Sequence, residues 1–297
     1  LLRLDEADVG RFLSMEEVIS AMERALADFS GGRVVQPGRV MVPVSDYRGF
    51  LGVMPAYTGS ALGAKLVSLY PHNEGVPTHH AEILLFRPET GEPLVSMDGR
   101  LITEVRTAAV SAVATEYLAR RDAAVLAILG AGAQARSHLK ALGLVRDFRE
   151  VRVWSPRRAG AFAEEHGIVA ASSAEEAVRR AYVVVTATTS PDPVLLGEWL
   201  SPGAHVNAVG APRPEWRELD DGVLRRVTLY VDSREAAMQE SGDVRAAGKI
   251  FAEIGEVVAG VKPGRRSGEE ITLFKSVGLA VEDVATAELV WRRVSDG

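Results

Sequence analysis

Apolar positions in the first third of the chain pass from helical spacing to alternation, and in its centre short apolar runs and helical stripes take turns. Residues 14–29 repeat at helical spacing: Met15, Val18, Ile19, Met22, Ala25, Leu26 and Phe29 form one stripe, Ser14 and Glu17 make a capping box, and Gly31-Gly32 stops the helix. Residues 40–42, 50–54, 62–69 and 81–86 alternate or run apolar as strands do, with turn signals at Asp46, 57–59, 71–75 and 88–91. Strands that succeed one another without crossover helices predict an antiparallel sheet. Residues 101–120 then turn helical and Ala-rich, a bridge to the central part of the chain.

Residues 123–129 are an apolar run ending on Gly130-Ala131-Gly132-Ala133-Gln134-Ala135, after which Ala135, Leu139, Leu142 and Val145 recur at helical spacing. Strand, tight turn, helix is the context in which G-x-G-x-x-A holds a dinucleotide. Gly130 permits the turn, Gly132 lets backbone approach the pyrophosphate, and Ala135 lets helix pack on strand. The helix N-terminus adds unpaired N–H groups and partial positive charge. Further strands at 151–155, 168–170, 182–188, 204–209 and 227–232 alternate with helices at 157–166 and 174–180, the mark of a doubly wound parallel sheet. Residues 183–185 and 206–209 read as central strands buried on both faces. A helical pattern returns at 276–294, able to close the sheet or cross back to the first domain. The expected fold class is α/β, a Rossmann doubly wound dinucleotide-binding domain beside a separate α+β domain.

Composition narrows the partners. At 297 residues there is chain for two domains, and 47% hydrophobic with 25% charged residues is a soluble globular balance. A net charge of −6 without blocks of Lys or Arg argues against nucleic acid. Zero cysteines exclude disulfides, thiolate metal sites and thiol catalysis, and permit the cytosol. No apolar stretch reaches the roughly 18 residues of a membrane span. The start, LLRLDEADV, lacks the regions of a secretory signal, and having no initiator Met it is expected to lack a few preceding residues. A cytoplasmic protein is expected.

Three cations sit in unusual surroundings: Lys65 inside the apolar GAKLVSLY, Arg106 among small residues in LITEVRTAAVSA, and Arg39 ahead of a strand. They either snorkel to solvent or clamp a substrate carboxylate, for which the guanidinium fork is suited. Asp232 ends strand 227–232, where an open α/β sheet places ligand groups; its alternative is a helix N-cap in D-S-R-E. His72, His79 and His80 lack Cys partners or acids at set spacing, so no metal site is expected. A fold that selects NAD ends its second strand on an acid, whereas here the chain runs Trp154-Ser155-Pro156-Arg157-Arg158. Ser155, Arg157 and Arg158 suit a 2′-phosphate, so NADPH is expected over NADH. Thr188, ending strand 182–188, is placed with the cofactor-binding residues.

The segments GAKLVSLYPHN, LFRPETGEPLVSMDGRLITEVRTAAVSAVATEYLAR, ILGAGAQARSH, VDS, SGD and ITLFKSVGLAVEDVATA, in that order over nearly the whole chain, resemble the ornithine cyclodeaminase/mu-crystallin family. The resemblance implies a Rossmann domain, residues 120–276, inside a split substrate-binding and dimerisation domain, residues 1–119 plus 277–297. It implies Lys65, Arg106 and Arg39 on the substrate carboxylate, Asp232 as catalytic acid/base with Lys65 beside it in the catalytic set, and Gly130, Gly132, Ala133 and Gln134 on the cofactor. Thr107 is similar to a residue that reaches the cofactor phosphates. Ornithine cyclodeaminases of the family carry a Glu shortly before a Met-Pro pair and more polar residues around positions 66–69. Here the segment is Leu51-Gly52-Val53-Met54-Pro55. An NAD(P)H-dependent reductase of a small imino acid is therefore expected, with an NAD-using cyclodeaminase or a low-turnover NADPH- and ligand-binding protein as alternatives. Apolar strands at 62–69 and 81–86 that need cover lead, with the resemblance, to a homodimer.

Overall fold

Period-two alternation builds the sheet of the first unit. The computed structural model describes residues 1–211 and 213–295. Two compact units divide it, Leu1–Arg106 with the segment from Gly278, and Thr107–Val277. The first cut falls at 106/107, inside the bridging helix, rather than at its end near 119/120.

The first unit carries β1 (Leu2–Leu4), α1 (Glu6–Phe12), α2 (Met15–Ser30), β2 (Val40–Val44), β3 (Gly49–Tyr57), β4 (Leu62–Leu69), β5 (His79–Phe86), β6 (Pro93–Asp98) and the start of α3 (Gly99–Leu118). Its sheet runs β1-β6-β5-β4-β3-β2. The expected antiparallel pairing holds from β2 to β6, but β1 joins β6 in parallel, so the sheet is mixed. Strand β6 escapes the pattern because Pro93, Ser96 and Asp98 interrupt its apolar residues, although Val95 and Met97 are fully buried. Strand β5 alternates as expected, burying Ala81, Ile83 and Leu85. The capping box of α2 does not form: Ser14 is the N-cap, but its hydroxyl donates to Glu16 Oε2 at 2.8 Å. Asp5 and Asp8 make the box instead, on α1. Cover was expected to be needed on strands 62–69 and 81–86, yet β4 has no exposed residue and β5 exposes only His80. Among the exposed apolar residues, Val40, Met41 and Val42 are consecutive on the edge strand β2.

The second unit continues with β7 (Val125–Leu129), α4 (Ala133–Val145), β8 (Glu150–Trp154), α5 (Ala159–His166), β9 (Val169–Ala170), α6 (Ala174–Val178), β10 (Val183–Thr186) and β11 (His205–Ala208). Then come α7 (Asp221–Arg226), β12 (Val227–Val231), α8 (Arg234–Glu240), α9 (Gly242–Ala247), β13 (Ala252–Glu253), α10 (Ile254–Val258) and β14 (Ile271–Lys275). All eight strands are parallel, in the order β13-β12-β14-β11-β10-β7-β8-β9. This is the doubly wound sheet the alternation predicts. Strands β10 and β11 are buried along their whole length: β10 carries the apolar run Val183-Val184-Val185 that burial on both faces of a parallel sheet favours, whereas β11 also buries His205 and Asn207, which are hydrogen-bonded to Thr272 Oγ1 and Thr115 Oγ1 respectively. Strand β14, a short run that no period distinguishes, enters between β11 and β12 and is likewise wholly buried. The final helix, α11 (Ala280–Ser295), belongs to the first unit and packs there on α2 and β3 to β5.

Strand order reverses between β7 and β10, and an open α/β sheet binds its ligand outside the carboxyl ends at such a point. In-register pairing places the residues just past the strands in one row along that edge: Gly130, Ala187, Val209, Ser276 and Asp232. Among the described residues no helix is long and apolar enough to cross a membrane.

Candidate active site

In the first unit, alternation on β4 turns Lys65 to the same buried side as Gly63, and the ammonium is 3% exposed. Its Nζ lies 2.5 Å from Asp283 Oδ2. Arg106, on α3 and equally buried, donates through Nε to Asp283 Oδ1 at 2.9 Å and through Nη1 to Glu282 Oε2 at 2.7 Å. Asp283 thus bridges the two cations, one oxygen to each. Both acids stand in the first turn of α11, where the helix dipole favours negative charge. Arg39 donates through Nη2 to the carbonyl of Gly278 at 2.7 Å. A Cβ at Gly278, whose φ is +81°, would lie 2.6 Å from Arg106 Nη1, so only glycine lets the chain pass this guanidinium. Lys65, Arg106 and Arg39 therefore converge around the start of α11.

Burial lowers the Lys65 ammonium from 10.5 to about 8, Asp283 opposing the fall while Arg106 and Arg39 add to it. Burial alone would raise Asp283, but Arg106 and Lys65 hold it below the usual carboxylate range. His79 is kept below its ordinary value by burial and then by the Lys65 charge. His72 and His80 are exposed, and among the described residues no three His, Asp or Glu side chains cluster to hold a metal. Glu282 and Asp283 were not singled out in the sequence, though an acidic pair inside AVEDVATA is the signal that marks them.

In the second unit Gly130 has φ +125°, and a Cβ there would lie 2.4 Å from the Ala187 carbonyl, so the first glycine serves the close passage of two chains as well as the turn. Gly132 is the N-cap of α4 and gives it no side-chain cap, and among the described residues a Cβ at Gly132 would meet nothing within 4 Å. Ala133 opens α4, and the Gln134 side chain has a buried Oε1 without a hydrogen-bond partner among the described residues. An open backbone, uncapped N–H groups and an orphan polar atom fit a dinucleotide phosphate. Behind them His138, fully buried, donates from Nδ1 to the Gln134 carbonyl at 2.7 Å and accepts at Nε2 from Ser111 Oγ at 2.9 Å, which ties α4 to α3. Burial pushes this imidazole down to about 4, so it stays neutral. Thr107 is buried on α3.

Past β8, Ser155 is half-buried, while Arg157 and Arg158 are exposed and have no acidic partner among the described residues. Arg158 is the N-cap of α5, an unfavourable place for a cation unless an anion joins it. Thr188 gives its N–H and its hydroxyl to Glu218 Oε1, at 2.8 and 2.7 Å. Asp232 is fully buried: Oδ1 accepts from Ser233 N at 2.8 Å, and Oδ2 accepts from Ser276 Oγ at 3.1 Å and Val277 N at 2.7 Å. The N-cap alternative for Asp232 is excluded, because Ser233 caps α8 through Ala236 N.

Comparison with known proteins finds relatives along the whole chain. Mouse (Mus musculus) ketimine reductase mu-crystallin is 50% identical over 308 residues, which cover 96% of this chain and 98% of that one. The structure of Thermococcus litoralis Δ(1)-pyrroline-2-carboxylate reductase in complex with NADH and L-proline matches with a TM-score of 0.95 at 42% identity, covering 100% of this chain and 98% of that one. An archaeal alanine dehydrogenase dimer with bound NAD matches with a TM-score of 0.94 at 38% identity, over 99% and 96% of the two chains. The profile of the ornithine cyclodeaminase/mu-crystallin family matches residues 3–297, and the chain belongs to that family.

Proposed function

We propose that the protein is an NAD(P)H-dependent reductase of small imino acids, a cyclic ketimine or the imine of a 2-oxo acid. The observation that carries this reading is the buried Lys65–Asp283–Arg106 bridge, in a chain that also holds a dinucleotide cradle. Reduced nicotinamide, when bound, supplies the hydride for the C=N carbon. Arg106 and Lys65, with Arg39, hold the substrate carboxylate and orient that carbon. Asp232 hydrogen-bonds the imine nitrogen and keeps it protonated, with Lys65 as the second group able to hold a proton near neutral pH. Gly130, Gly132, Ala133, Gln134, Thr107 and Thr188 hold the dinucleotide. Ser155, Arg157 and Arg158 receive a 2′-phosphate, which favours NADPH. The exposed apolar residues of β2 support a homodimer through the first unit, and the cytoplasm is the expected compartment.

The missing Glu ahead of Met54-Pro55 disfavours cyclodeamination. Product analysis separates the readings. A reductase converts Δ1-pyrroline-2-carboxylate and NADPH to proline with loss of the nicotinamide absorbance. Proline and ammonia formed from ornithine without net change in NAD, and no imine reduction, would overturn the proposal. Tight NADPH binding with no turnover on a panel of cyclic imines, and of 2-oxo acids plus ammonia, would identify the low-turnover binding protein instead.

A further inference from the structure

We propose that Lys275 is a positioning residue for the dinucleotide site, acting through Gly210, Asp243 and Glu218; the proposal rests on the cradle's holding NAD(P)H. Lys275 ends β14 and is 0% exposed. Its Nζ donates to the Gly210 carbonyl at 2.5 Å and lies 3.2 Å from Asp243 Oδ2. Asp243 in turn accepts from Leu219 N through Oδ1 at 3.1 Å. The neighbouring Glu218, also 0% exposed, accepts from Thr186 Oγ1 at 2.8 Å and from both the N–H and the hydroxyl of Thr188. Gly210 is wedged between them: a Cβ there would lie 2.3 Å from the Thr188 carbonyl and 2.4 Å from Glu218 Oε1.

Two loops at the carboxyl edge of the sheet, after β10 and after β11, are therefore held by one buried lysine and two buried acids. The same strand end reaches the other way, because the next two residues after Lys275, Ser276 and Val277, bind Asp232. Folding alone does not call for this ammonium. A well-packed apolar side chain of similar volume serves a core as well as a buried ion pair, and often better. What the ammonium adds is a fixed Gly210 carbonyl, and with it the shape of the edge that faces the ligand crevice.

The test compares Lys275→Met with Val178→Ala, a core truncation on α6 ahead of the amino end of β10. Dissociation constants for NADPH and NADH are measured by calorimetry and by the coenzyme-induced rise in Tm, and KM for the imine is measured alongside. Lys275→Met is expected to weaken the coenzyme about tenfold or more, as displaced positioning groups do. KM for the imine moves far less, and Val178→Ala lowers Tm while leaving coenzyme affinity unchanged. If Lys275→Met does not fold, Asp243→Asn is read in the same way. Unchanged coenzyme affinity in the folded variant overturns the proposal, as does equal weakening in Val178→Ala. Wild-type protein that binds neither coenzyme overturns the reductase reading and this proposal with it.

Discussion

Lys65 and Asp283, brought together from β4 and α11, meet at 2.5 Å with both side chains buried. The pair is one half of a bridge whose other half is Arg106, so the carboxylate holds two cations apart and in place. Because burial lowers its ammonium to about 8, Lys65 changes charge within a working range.

In the free enzyme kcat/KM for carboxylate substrates should fall above about pH 8, as Lys65 loses its proton. Bound carboxylate favours the ammonium, so the corresponding limb in kcat lies at higher pH. Lys65→Arg keeps its charge throughout and abolishes the limb. Stability runs the other way: the folded value, about 8, is below the unfolded 10.5, so between them the unfolded chain binds the extra proton. This group's contribution to stability is then flat below pH 8 and rises toward 10.5. A high-pH limb of kcat/KM that persists unshifted in Lys65→Arg would show that another group titrates.

Asp232 and Ser233 are adjacent but separable. Ser233→Ala removes the α8 cap and costs about 1 kcal/mol of stability, with kcat retained. Asp232→Asn keeps one acceptor oxygen but loses the charge, and turns an NH2 toward an N–H it once accepted. Its kcat falls by roughly 10²–10⁴-fold if the acid acts on the imine. Steady-state kinetics across pH, with Tm measured on both variants, separates the roles. Near-wild-type kcat in Asp232→Asn at every pH would place the proton source elsewhere.

Arg157 and Arg158 lie exposed at the start of α5 without an acid partner among the described residues. The double substitution Arg157→Ala, Arg158→Ala should raise KM for NADPH and leave KM for NADH nearly unchanged. Equal or better kcat/KM with NADH in the wild type contradicts the assignment.

Val40, Met41 and Val42 are 57%, 44% and 48% exposed on an edge strand, a surface that calls for cover. Light scattering at micromolar concentration should give twice the chain mass, and Met41→Glu should halve it. A monomer mass in the wild type sinks the dimer.

What was legible in the sequence is what local physics writes locally. The glycine turn showed because Gly130 has φ +125° and passes close to the Ala187 carbonyl, which only glycine allows cheaply. Strand β10 showed because burial on both faces favours a run such as Val183-Val184-Val185, and β11 showed through Val206 and Ala208 despite the buried Asn207 between them. The Arg106–Asp283 contact did not show, since its partners are 177 positions apart and acids in a first helical turn read as ordinary capping. Strand β14 was hidden for a related reason: a five-residue run ending in lysine has no period, and only its neighbours make it central. The sequence D-S-R-E left the cap of α8 open between Asp232 and Ser233, and the structure gives it to Ser233.

The central claim, reduction of an imine anchored by its carboxylate, is tested most directly by following nicotinamide absorbance with Δ1-pyrroline-2-carboxylate and with Δ1-pyrroline, its analogue without the carboxylate. Wild-type protein should oxidise NADPH rapidly with the first and by about 100-fold or more less efficiently with the second, and Arg106→Met should collapse that difference. Equal turnover of the two imines, or none with either, would contradict it.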